Sequence, residues 1–176
     1  FVAPLLLYVA AAAIVPERFE PLIAPAMLLA IAAIRLRLVP AMGSALLIIA
    51  GWAIEPAGIW LAAASDSVIG YPVLVDAVPA FEEALLKLLL PAIAVGGSLW
   101  VARTRLDRRE RIAGAALGAF LGMAGVHSLY KLVFAISNEQ AFIVLGLAER
   151  TVWEMLLLGG AALCWRAKQE RIAIAL

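Results

Sequence analysis

"FEEALLKLLLPAIAVGGSLWVA", residues 81–102, decides the fold. After Lys87, the 15 residues from Leu88 to Ala102 carry no charge. A helix needs about 20 mainly apolar residues to cross the core of a bilayer. The stretch from Pro79 to Ala102 therefore reads as one membrane crossing. Its start is less simple. Glu82, Glu83 and Lys87 stand where the chain otherwise offers Ala, Leu, Ile and Val. A charge near the bilayer centre costs roughly 3 kcal/mol or more, so such residues need a partner or a purpose.

The rest of the chain has the same character. Of 176 residues, 65% are hydrophobic and 15% are charged, where soluble domains carry about a quarter charged. The expected fold class is an all-α polytopic transmembrane helix bundle, a single transmembrane region over residues 1–176. The net charge is +1, and no basic patch is interleaved with aromatics, which excludes a nucleic-acid partner. Cys164 is the lone cysteine and His127 the lone histidine. No intrachain disulfide and no multi-thiolate metal site can be built, and neither metal nor cofactor is expected. "FVAPLLLYVAAAAIV" has no charged region before it and does not read as a signal peptide. We expect a helix whose start lies outside this piece of sequence, and "RIAIAL" reads as the opening of a further segment.

Apolar runs and their breaks give six expected spans: Phe1–Val15, Pro21–Ile34, Ala41 to about Ala53, Pro79–Ala102, about Ile112–Ile136 and about Ala148–Trp165. Glu55 and Pro56 end the third, and a long connection over Ala57–Val78 follows. Ten of the 14 basic residues fall in alternate loops: Arg35, Arg37, Arg103, Arg105, Arg108, Arg109, Arg111, Arg166, Lys168 and Arg171. Cytoplasmic loops collect Lys and Arg. The alternation places these loops inside, as in a bacterial inner membrane, and the Ala57–Val78 connection outside. Trp100 and Trp165 lie near the inner ends of spans, Trp52 and Trp60 near the outer ends, as an aromatic belt would have them.

On this map the ionisable residues inside the spans share one depth, the outer half. Glu82, Glu83 and Lys87 belong to span four, His127 and Lys131 to span five, and Glu149, Arg150 and Glu154 to span six. Glu83 and Lys87, His127 and Lys131, and Arg150 and Glu154 are each four apart, which puts each pair on one helix face. Pro91 cannot donate to the carbonyl four residues back, that of Lys87. Span four should bend there. Span five carries Gly114, Gly118, Gly122 and Gly125; the first three follow the small-xxx-small spacing that lets helices approach closely. His127 falls nearly opposite that face.

Three helices resemble a known superfamily. "FEEALLK" resembles the Glu-Glu-x-x-x-Arg opening of the CAAX prenyl-endopeptidase group, with Lys87 in place of Arg. The related anti-sigma-factor-cleaving intramembrane proteases use a similar helix with lysine one residue earlier. "RLDRRERIAGAALGAFLGMAGVHSLY" resembles the glycine-rich helix that follows, where Met123 and His127 hold the place of Phe-x-x-x-His. The resemblance covers roughly Pro79 to Trp165. It implies an intramembrane hydrolase of membrane-anchored peptides, with Glu82 or Glu83 as general base, Lys87 as counter-ion, and His127 holding water or the oxyanion. The superfamily carries a further histidine on the next helix. Here that helix reads "LAERTVWEMLLLGG", with Glu149, Arg150, Trp153 and Glu154 and no histidine. The second reading is therefore a non-catalytic membrane component, structural, ligand-binding or transporting, whose polar cluster joins helices. The expected partners are the lipid bilayer, further transmembrane helices and a membrane-anchored substrate.

Overall fold

The computed structural model describes residues 2–34, 39–68 and 71–166, except for the side chains of 68, 147–150, 152–153, 156–157, 160–161 and 163–164. Arg35, Arg37, Lys168 and Arg171 lie outside the described residues, as do the side chains of Glu149, Arg150, Trp153 and Cys164. The described residues form helices and turns, with no strand among them. They fall into two units, Phe1–Val133 and Phe134–Leu176.

The first unit opens with α1, Val2–Ala12. A 3₁₀ turn over Glu17–Leu22 leads into α2, Ile23–Ala33. At 1.5 Å per residue, α1 and α2 are each roughly 17 Å long, about half the hydrocarbon core. Next come α3, Val39–Val68, α4, Phe81–Ala102, and α5, Arg108–Val133. The helices α3, α4 and α5 are each long and apolar enough to cross a membrane. Their outward side chains fit that solvent: Leu47, Ile54, Ile93, Ile112 and Val126 are all exposed. A water-facing surface rarely shows apolar side chains along every helix.

One expected boundary is corrected. Glu55 and Pro56 do not end the third span, and the connection does not begin at Ala57. The helix runs through both to Val68. Proline removes one helical hydrogen bond and strains the turn before it, at a cost of about 3 kcal/mol. Packing outweighs this, because Ala53, Ala57 and Trp60 around the proline all belong to the buried core, with Leu28, Ile49, Leu88, Val95 and Leu121.

Glycine sets the distance between α4 and α5. A Cβ on Gly114 would meet Leu99, on Gly118 Val95, on Gly122 Ala92, and on Gly125 the backbone of Leu89. Rising numbers on α5 match falling numbers on α4, so the two helices are antiparallel neighbours. Lipid tails are as apolar as Leu, so helices in a bilayer associate by close packing more than by hydrophobicity. This seam supplies such packing.

Arg105 joins the other end of the unit. Its guanidinium donates to the carbonyls of Ala32 (2.6 Å) and Ile34, at the C-terminal end of α2. Those carbonyls have no helical partner, and a cation there also meets the negative end of the helix dipole.

The second unit contains α6, Glu139–Arg166. Asn138 caps it, its Oδ1 accepting from the Ala141 N–H at 2.8 Å.

Candidate functional site

The helix α4 is not α-helical throughout. Residues Ala84–Leu89 form a π turn, in which the Leu90 N–H reaches back five residues to the Leu85 carbonyl. It lies just before Pro91, which is buried and has no N–H to give. The sequence places a bend here, and the backbone accommodates the proline by widening one turn. Single π turns inside α-helices occur often at functional sites.

The three charges of "FEEALLK" sit on and just ahead of this turn. Lys87 Nζ donates to Glu83 Oε1 at 2.7 Å. The pair is largely sheltered, with side-chain exposures of 19% and 29%. Glu55 of α3 approaches the same ammonium at 3.9 Å, and the Trp52 ring lies 5.9 Å from it, within cation–π range. Trp52 is itself oriented, because its Nε1 donates to the Tyr8 hydroxyl of α1 at 2.7 Å. Glu82 points elsewhere and pairs with Arg18 of the 3₁₀ turn. Beside these groups lies a cavity of about 560 Å³. The 3₁₀ turn supplies one wall through Glu17, Arg18 and Glu20; Trp52 supplies another; Glu82, Glu83 and Lys87 supply the third.

His127 is held by a different contact. Trp60 Nε1 of α3 donates to its Nδ1 at 3.0 Å, and the two rings meet edge to face at 6.1 Å. An indole N–H only donates, so Nδ1 is the acceptor and a neutral His127 carries its proton on Nε2. His127 is not among the residues lining the cavity. Trp60, expected in an aromatic belt, is buried in the core and stacks edge to face on Phe120 at 5.9 Å.

The remaining expected residues divide. Lys131 is fully buried on α5, at 1% exposure. Glu154 lies exposed on α6 in the second unit, and Glu149 and Arg150 are on the same helix with their side chains outside the described residues. Gly114, Gly118, Gly122 and Gly125 line the α4–α5 seam. Among the described residues, no three of His, Cys, Asp and Glu converge as metal ligands would. Ser128, three residues beyond Gly125, has a buried hydroxyl with no hydrogen-bond partner among the described residues.

Sequence reasoning missed Arg18, Trp52, Glu55 and Trp60 as members of the polar network. The available signal was faint: Arg18 is the single basic residue in its connection, and Glu55 is an acid beside an apolar run. Compared with family models, curated proteins and solved structures, the chain matches none.

Proposed function

We propose that this chain is a multi-pass protein of a bacterial inner membrane, with six spans, that belongs with the Glu-Glu intramembrane proteases and hydrolyses a membrane-anchored peptide. One observation carries the reading: Glu83 is held by Lys87 on a π turn in the wall of a cavity of about 560 Å³. That volume lies in the range of small-molecule pockets. A general base must be deprotonated and within reach of water. Lys87 holds the Glu83 carboxylate in place. Glu83 takes a proton from water as its oxygen adds to the peptide carbonyl carbon, and then passes that proton to the amide nitrogen as the C–N bond breaks. His127, with its proton on Nε2, is suited to donate to an oxyanion, and substrate entry must bring that oxygen to it.

The test is cleavage. Purified protein in liposomes is offered a panel of single-span peptides tagged at both ends. The proposal expects cleavage that is lost in Glu83→Gln while thermal stability changes by less than about 1 kcal/mol. An intact panel, with normal cell growth of the Glu83→Gln strain under conditions where deletion is harmful, rejects it.

A specific observation favours the second reading, a non-catalytic component. Two carboxylates at the cavity already have a cation: Arg18 for Glu82, Lys87 for Glu83. The Arg18–Glu82 pair joins the 3₁₀ turn to α4, and Glu55 brings α3 to Lys87, with no reaction required.

A further inference from the structure

We propose that the turn between α4 and α5 is a docking site for anionic phospholipid headgroups. Residues 103–111 read RTRLDRRER, five basic and two acidic, a net charge of +3. The arrangement of these side chains matters more than their sum. Asp107 and Glu110 are turned onto the backbone in a reciprocal cap: the Glu110 N–H donates to Asp107 Oδ1 at 2.8 Å, and the Asp107 N–H to Glu110 Oε2 at 2.7 Å. Both acids thus serve the start of α5. Arg105 is spent on the end of α2 and ties the turn down. The other four, Arg103, Arg108, Arg109 and Arg111, are exposed. Arg103 lies over the Trp100 ring at 4.3 Å, and Trp100 is 69% exposed at the last turn of α4.

Trp100 fixes the level of these arginines. Exposed tryptophans settle at the boundary between hydrocarbon and headgroups. A guanidinium stacked on that ring, with three more one short turn away, is at the height of lipid phosphates. Guanidinium groups match phosphate oxygens in pairs of hydrogen bonds. A tethered turn presents them already arranged, which lowers the ordering cost of binding. The occupant is therefore an anionic lipid of the surrounding leaflet.

Native mass spectrometry of the detergent-purified protein tests this. Phosphatidylglycerol should be retained about tenfold or more over phosphatidylcholine, since each basic residue adds roughly a fivefold gain at an anionic surface. The quadruple variant Arg103→Gln, Arg108→Gln, Arg109→Gln, Arg111→Gln should lose most of that preference, and the matching quadruple Lys variant should keep most of it. Should the Gln variant not fold, Arg108→Gln with Arg109→Gln serves, with a smaller loss expected. Equal retention of the two lipids by the native chain overturns the proposal, as does undiminished preference in the folded Gln variants. Displacement of the lipid by millimolar inorganic phosphate points to a soluble anion instead, and also overturns it.

Discussion

Lys87 meets a carboxylate of its own helix, a second from α3 and the face of an indole. Leaving Glu83 without its cation in a sheltered site should cost more than removing both charges. Lys87→Met is expected to lower stability by about 2–3 kcal/mol, and adding Glu83→Gln should recover part of it, a coupling of roughly 1–2 kcal/mol. Thermal unfolding in detergent of the two single variants and the double variant measures the cycle; additive losses would mean that the pair is not an energetic unit. Ser128 is the opposite case. Its hydroxyl is buried without a partner among the described residues, and such a group carries a desolvation penalty of about 1–3 kcal/mol. Ser128→Ala should raise stability by about 1 kcal/mol, and a loss on that change would show that the hydroxyl is needed. Only part of this scale was legible in the sequence. The spacing of Glu83 and Lys87 put them on one face, and the structure shows them bonded. The Arg18–Glu82 and Trp60–His127 partners are 64 and 67 residues apart, and nothing local in a sequence encodes a meeting at that distance.

The seam between α4 and α5 is the element on which the site rests. Its closest approach to backbone is at Gly125, where a Cβ would lie 2.9 Å from the Leu89 nitrogen and 3.1 Å from its Cα. Backbone cannot step aside as a side-chain end can. At Gly122 the nearest atom is the Ala92 Cβ at 3.6 Å, an ordinary contact. Gly125→Ala should therefore destabilise by about 1–3 kcal/mol and Gly122→Ala by well under 1 kcal/mol. Equal melting temperatures for the two variants would mean that the helices separate at little cost. The spacing of these glycines was readable in advance, because it repeats on one face. The run of α3 through Pro56 was not. Proline beside a glutamate is a local stop signal, and only the packing of Ala53, Ala57 and Trp60 on the core overrides it.

For the whole molecule, the all-helical, membrane-compatible character was the easiest thing to read, because α3, α4 and α5 are each long and apolar enough to cross a membrane. Sidedness is a prediction from the arginines: if Arg103 to Arg111 face inside, the 3₁₀ turn over Val75–Ala77 faces outside. Asp76 and Arg108 are both exposed. A cysteine at Asp76→Cys should react with a membrane-impermeant maleimide in intact cells, and one at Arg108→Cys only after lysis. The reverse pattern would invert the map, and labelling of both in intact cells would dissolve it. Sequence reasoning overestimated the first two helices, since breaks in an apolar run mark where a span must stop but not how much of it coils.

The π turn also sets the register of the rest of α4. A ring closed five residues back encloses one residue more than a ring closed four back, so the turn absorbs a single inserted residue. On an unbroken α-helix that insertion would rotate everything beyond it by about 100°, carrying Leu89 and Val95 off the glycine seam.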